Sequence, residues 1–281
     1  MTHADTVTRT LFRTTAGVPA PPLRWARELA RLVLPVSCPG CGRADVRCCR
    51  ACAALLGGAL RRVERTAPRL DRLDGVPPLP VWAAARYAGP VREVVVAWKD
   101  HGRLDLDRVL GPALRRAGGE VASAVRPAAG GRTVLVVPAP STGAARRSRG
   151  REHVAVLAAA VALGLRDGGV PACVRTALRR RGRGRDQVGL GARARGRNLA
   201  GGVVVRPRAL PVDAGRPICL LVDDVLTTGA TLAAAERALE AAGADVVAAL
   251  VVAATPPPGD RETCTREPPF PVYPAGGVGL A

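Results

Sequence analysis

The chain has 281 residues, with 42 Lys+Arg against 23 Asp+Glu and a formal charge of +19. Hydrophobic residues make up 48%, which supplies an ample core and excludes wholesale disorder. Three Trp, two Tyr and two Phe are too few for an extended base-stacking platform. The cations are almost all arginine, and Lys99 is the only lysine. That skew fits GC-rich codon usage, so charge permits an anionic partner without establishing one. The longest uncharged apolar stretch in a helical context, 153–165, is shorter than the ~20 residues a bilayer requires, so no membrane insertion is expected. Near the N-terminus, Arg9 and Arg13 precede Pro, Gly and more Arg where a signal peptide would be apolar. A cytoplasmic location follows, and eight cysteines there read as metal ligands or buried thiols instead of disulfides.

In chain order, residues 1–22 read as a flexible leader rich in Thr and Pro. Residues 23–34 carry an amphipathic helical pattern stopped at Pro35, and a Cys-rich module completes a unit over 23–60. Residues 61–80 are polar, contain several prolines and read as a linker. From 81 to 254 the pattern becomes α/β. Strands are expected over 81–87, 133–137, 218–222 and 246–253, and helices over 91–99, 104–116, 151–165 and 230–242. Gly243 supplies the last of these helices with a C-terminal stop. Alternating strands and helices argue for a parallel sheet covered on both faces. The tail, 255–281, reads as disordered.

The most informative string begins with the apolar run 218–222. It continues Asp223-Asp224-Val225-Leu226-Thr227-Thr228-Gly229-Ala230-Thr231. Ligands of parallel sheets sit beyond the carboxyl ends of the strands. Two carboxylates there can accept hydrogen bonds from paired sugar hydroxyls and hold the water shell of Mg²⁺. The loop after them has no cation, yet backbone N–H groups, Thr hydroxyls and a helix N-terminus suit a phosphate. An N-capped helix after a strand is the plainer alternative. A Walker loop is excluded, because Lys99 has no Gly-x4-Gly before it. The string resembles the phosphoribosyl pyrophosphate (PRPP) signature of type I phosphoribosyltransferases. That resemblance implies that Asp223 and Asp224 bind the ribose hydroxyls with Mg²⁺ nearby. It also implies that Thr227, Thr228, Gly229, Ala230 and Thr231 cradle the 5′-phosphate.

Cys38-Pro-Gly-Cys41 and Cys49-Arg-Ala-Cys52 are two C-x2-C pairs separated by seven residues. Such knuckles bring four thiolates to the corners of a tetrahedron around Zn²⁺. Cys48 could replace Cys49 only by spoiling the second spacing. The module is too small for a core of its own, so metal binding would be folding energy for it. Cys219 lies in an expected strand and reads as core.

Two basic loops complete the pattern. Pro138-Ala-Pro140-Ser141 leads into an Arg-rich run containing Arg149, a plausible pyrophosphate clamp. A Gly-rich basic stretch holds Gln187, Arg195, Arg197 and Asn198 and reads as a mobile lid. Residues 175–208 carry eleven Arg and one Asp, or +10 of the +19.

Taken together these motifs resemble the competence protein F (ComF) family over about 32–254. They are the two C-x2-C pairs, Tyr87-x-Gly89, Lys99-x-x-Gly102, Pro138-x-Pro140, Arg149-Gly150, Gln187-x-x-Leu190 with Arg195, Arg197 and Asn198, and the 223–231 string. The resemblance implies a type I phosphoribosyltransferase-like parallel sheet flanked by helices, behind a small N-terminal four-cysteine zinc module. Structural Zn²⁺, Mg²⁺ with PRPP, pyrophosphate contacts from Arg149 and Lys99, and a role in DNA uptake come with it. Transfer of 5-phosphoribosyl to an unnamed acceptor is the first reading. A non-catalytic adaptor for single-stranded DNA, working beside a DNA-uptake helicase, is the second. One departure stands out: Arg149-Gly150 is followed by Arg151-Glu152-His153 where the family has an aromatic, Asn and Gln.

Overall fold

The computed structural model describes residues 36–140, 152–181, 202–211 and 215–257. The leader, the helix expected over 23–34, Arg149, Gln187, Arg195, Arg197, Asn198 and the tail from 258 lie outside the described residues.

Among the described residues, eight strands form two sheets: β1 (Arg61–Arg62), β2 (Val81–Arg86), β3 (Val134–Pro138), β4 (Ala172–Val174), β5 (Leu178–Arg180), β6 (Val203–Val205), β7 (Ile218–Leu226) and β8 (Asp245–Ala254). The main sheet has the order β1-β2-β8-β7-β3-β4, and only the β1–β2 pair is antiparallel. β5 and β6 make a separate antiparallel ladder. The helices are α1 (Arg50–Ala54), α2 (Gly89–Lys99), α3 (Asp107–Ala129), α4 (His153–Asp167) and α5 (Ala230–Ala241).

Strand alternation divides the core into two layers. Val134, Val136, Leu220, Val222, Leu250 and Val252 face α2, α3 and α4. Leu135, Val137, Cys219, Leu221, Ala249 and Val251 face α5, the β5–β6 ladder and residues 67–79. Both faces are covered, which explains why the central strands are nearly continuous apolar runs. Cys219 is fully buried, as expected, and burial pushes its thiol up to about 12. Among the described residues, no helix is long and apolar enough to cross a membrane.

Three expectations need correction. The helix expected over 104–116 is a 3-10 turn, Leu104–Leu106, followed by α3, which runs on to Ala129. Gly118 and Gly119 are poor helix formers, but packing overrides propensity here. A Cβ on Gly118 would lie 2.6 Å from the Val161 carbonyl oxygen, and one on Gly164 would overlap the Arg115 carbonyl. Missing side chains therefore let α3 and α4 touch backbone to backbone. The strand expected to end at Val222 continues through both acids to Leu226, because β8 keeps pairing with it: Asp223 stands opposite Val251 and Val225 opposite Ala253.

Residues 61–80 are more than a spacer. β1 pairs with the edge of β2, Glu64 accepts a hydrogen bond from the Val81 N–H at 3.2 Å, and Ala67, Leu70 and Leu79 are buried. Their apolar side chains, few and scattered among prolines, find a binding face only after the sheet has formed.

Gly164→Ala should cost about 3 kcal/mol of stability, because two backbones must separate. Gly119→Ala, in the same α3 but meeting only the Gly164 carbonyl oxygen at an ordinary 3.5 Å, should change stability by less than about 1 kcal/mol. Denaturant unfolding of the two variants checks the contrast.

Candidate functional site

The site is built at the carboxyl end of β7. There β3 and β7 are neighbours, but the chain leaves β3 for β4 on one side and β7 for β8 on the other. That reversal is the switch point where open parallel sheets bind ligands. The two strands stay paired to their ends, with the Ala139 N–H donating to the Val222 carbonyl at 2.8 Å.

Beyond β7, Thr227 and Thr228 are exposed, and Gly229 turns the chain with φ +80 into α5. Left-handed backbone of this kind favours glycine. No side chain caps α5, so its leading N–H groups are left for a ligand. A small open pocket of about 40 Å³ is lined by Asp223 and by residues 225–232, which brings Thr227, Thr228, Gly229, Ala230 and Thr231 together with one acid.

The other acid turns elsewhere, as successive strand residues do. Asp224 is buried and pairs with the Lys99 ammonium, Nζ to Oδ2 2.7 Å. Lys99 is the last residue of α2, and the buried Trp98 beside it anchors that helix by donating from Nε1 to Asp107 Oδ1 at 2.7 Å. Burial works against the Lys99 charge, but Asp224 first, then Asp223 and Asp100, hold its pKa above the ordinary lysine value. For Asp223, burial and then the neighbouring Asp224 charge push the carboxyl up to about 7. The Asp224 N–H, Lys99 and Arg180 pull the other way without prevailing.

Sequence reasoning missed Arg180. Its Nε donates to the Pro140 carbonyl at 3.1 Å, and its charge is felt at Asp223. Among eleven arginines in 175–208, nothing in the sequence singles it out. Residues 67–70 were missed too. The Arg69 N–H donates to the Thr228 carbonyl at 3.0 Å, and a Cβ on Gly229 would meet Leu70 at 2.8 Å. The departure His153 opens α4 as a buried residue, edge-on to Trp98 with ring centroids 5.0 Å apart, so it serves the core.

The cysteine module lies against α2. Sγ atoms of Cys38, Cys41, Cys49 and Cys52 all fall within 4.8 Å of one another. A tetrahedral zinc tetrathiolate has edges of about 3.8 Å, so the set fits that ion. Backbone donors support it: Cys49 N–H to Cys38 Sγ and Cys52 N–H to Cys49 Sγ, both 3.4 Å. Although burial opposes it, donors from Cys49, Cys41 and Gly40 bring Cys38 down to about 6, a thiolate at neutral pH. Cys48 is outside the cluster, and burial with the nearby thiols raises it to about 11. A Cβ on Gly40 would press on Cys52 Sγ at 2.8 Å, which is why this knuckle needs glycine. Arg103 clamps both halves of the module, donating to the Ser37 carbonyl at 3.3 Å and the Arg47 carbonyl at 2.9 Å.

Residues 155–273 match the family model described as a phosphoribosyl transferase domain. The matched segment opens in α4 and takes in β7, the 227–231 loop and α5, and it is a phosphoribosyltransferase-type domain. No curated protein matches the chain. Among solved structures, orotate phosphoribosyltransferase from Aeropyrum pernix is similar at 21% identity over 55% of this chain and 61% of that one, with a TM-score of 0.28. Hypoxanthine phosphoribosyltransferase from Trypanosoma cruzi is similar at 15% identity over 55% of this chain and 86% of that one, TM-score 0.34. Adenine phosphoribosyltransferase from Rhodothermus marinus is similar at 18% identity over 51% and 78%, TM-score 0.28. The chain thus spans less than two thirds of the orotate enzyme's length.

Two outcomes are expected. The purified chain should hold one zinc; Cys52→Ser should lose it and Cys48→Ser should keep it, as read by metal analysis. A ligand that requires ionised Asp223 should bind about tenfold more weakly per pH unit below about 7. The folded state holds this proton between the ordinary carboxylate value and about 7, so the group's contribution to stability falls as pH rises across that window. Calorimetry in buffers of different ionisation enthalpy reads the released proton, and Asp223→Asn should abolish it.

Proposed function

We propose that this protein binds PRPP with Mg²⁺ and transfers its 5-phosphoribosyl group to an acceptor, as a phosphoribosyltransferase of the ComF type. One observation carries the reading: an uncapped helix N-terminus and the Thr227–Thr231 loop share a pocket with Asp223 at the switch point of a parallel sheet.

The 5′-phosphate lies on the 227–231 loop, held by backbone N–H groups and by the Thr hydroxyls. Asp223, in the same pocket, accepts hydrogen bonds from the ribose hydroxyls. Asp224 acts from behind it: the Lys99 ion pair, Nζ to Oδ2 2.7 Å, fixes the position of its carboxylate. Asp223 would hold the water shell of Mg²⁺ there, and the ion would neutralise charge on the pyrophosphate oxygens. Lys99 acts through Asp224, while the roles of Arg149 as a pyrophosphate contact and of Gln187, Arg195, Arg197 and Asn198 as a lid rest on the resemblance to ComF alone, since these residues lie outside the described ones. The acceptor attacks C1′ as pyrophosphate leaves, and most of the rate enhancement comes from positioning and charge stabilisation. The four-cysteine module is a structural zinc site docked beside α2. A role in DNA uptake rests on the resemblance to ComF alone.

A second reading keeps the fold and uses it as an adaptor for single-stranded DNA. Favouring it are Arg175, Arg179, Arg181 and Arg208, exposed on or beside the β5–β6 ladder. It requires DNA affinity that falls steeply with salt.

The deciding measurement is PRPP calorimetry on the full chain with Mg²⁺, followed by pyrophosphate release against a panel of bases. Micromolar PRPP binding is expected, lost beyond detection in Asp224→Asn and weakened at least tenfold in Thr228→Val. Pyrophosphate release with one base establishes transfer. Binding without release under every base favours the adaptor, and no PRPP binding at all overturns the site.

A further inference from the structure

The loop assigned to phosphate is contacted from behind by a segment that has no place in the chemistry above. Residues 67–72 run across the outer side of the turn. Ala67 and Leu70 are buried, and both press on the face of Gly229 where a side chain would stand: a Cβ there would lie 2.8 Å from Leu70 Cγ and 3.1 Å from Ala67 Cβ. Between them, the Arg69 N–H donates to the Thr228 carbonyl at 3.0 Å. That bond fixes the peptide linking Thr228 to Gly229, and so the direction in which the Gly229 N–H points. Two residues on, Arg72 fastens the segment to α5, with Nη1 at 2.8 Å from Glu240 and 3.3 Å from Glu236, and it is forked onto Asp74. The segment therefore touches the loop and is pinned to the helix that the loop begins.

We infer that residues 67–72 are a buttress that sets the phosphate loop in its binding conformation, with Leu70 and Arg72 as its positioning residues. This rests on reading 227–231 as a phosphate loop. The physical reason is preorganisation. A loop that binds an anion through backbone N–H groups must hold those dipoles convergent before the ligand arrives, and a Thr-Thr-Gly turn without side-chain caps cannot do so by itself. The buttress supplies the missing constraint from outside the pocket, leaving the inner surface free for ligand.

The test uses the full chain and two readouts. Amide hydrogen exchange over 227–231, without ligand, should rise tenfold or more in Leu70→Ala and in Arg72→Gln, while exchange in β7 stays as in the wild type. Leu70→Met should restore protection. By calorimetry, ribose 5-phosphate should bind Leu70→Ala at least tenfold more weakly, whereas Mg²⁺–pyrophosphate should bind within twofold of wild type. Unchanged loop exchange in both variants overturns the buttress. So does a rise spread equally over β7 and α5, which would mark general destabilisation. Should Leu70→Ala fail to fold, Arg72→Gln carries both readouts, and unchanged loop exchange in it overturns the proposal. If the loop loosens as expected but the wild type does not bind ribose 5-phosphate, the buttress stands and the phosphate reading falls.

Discussion

The carboxyl end of β7 is the constraint on which the site depends. β7 is buried on both faces between β3 and β8, and after one register shift between Cys219 and Leu220 its pairing with β8 runs on past the two acids. A strand so confined cannot shift by one residue without turning its apolar side chains from one layer of the core to the other. The position of Asp223 and the start of the 227–231 turn are therefore fixed by the packing of residues well away from the pocket.

That rigidity has an electrostatic cost. Two adjacent carboxylates at the end of a buried strand repel each other and lose water, and the structure answers by separating their roles. Asp224 takes the cation, Lys99, delivered by a helix whose neighbouring Trp98 is locked into the core. Asp223 is left on the pocket side with its affinity for a proton raised to near neutrality. A group in that condition exchanges its proton readily for a hydrogen-bond donor or a cation.

The cysteine module and residues 61–80 extend the same logic outward. Neither can form a core alone. The module relies on four converging sulfurs and on Arg103, which reaches both of its halves from the turn after α2. The segment after it relies on an edge strand, a buried Glu64 and contacts with α5. Each is attached to the layer of helices or to the loop nearest the site, so the described residues 36–80 pack on the α/β sheet and its helices.

Much of this was legible in the sequence, because local pattern and local chemistry agree there. The apolar runs at 133–137, 218–222 and 246–253 read as buried strands, and strands stand at Val134–Pro138, Ile218–Leu226 and Asp245–Ala254. The Thr-Thr-Gly turn before a helical period placed the start of α5, and the two C-x2-C spacings named the four cysteines that converge. What the sequence could not determine depends on contacts between residues far apart in the chain. Gly118 and Gly164 read as helix weaknesses until two backbones are seen to meet at them. Asp223 and Asp224 read as equals until β8 extends β7 beneath them and α2 brings Lys99 to only one. Residues 67–72 read as spacer, since a few apolar side chains among prolines carry no period. Their partner is a glycine 159 positions beyond Leu70, and only the folded sheet brings the two together.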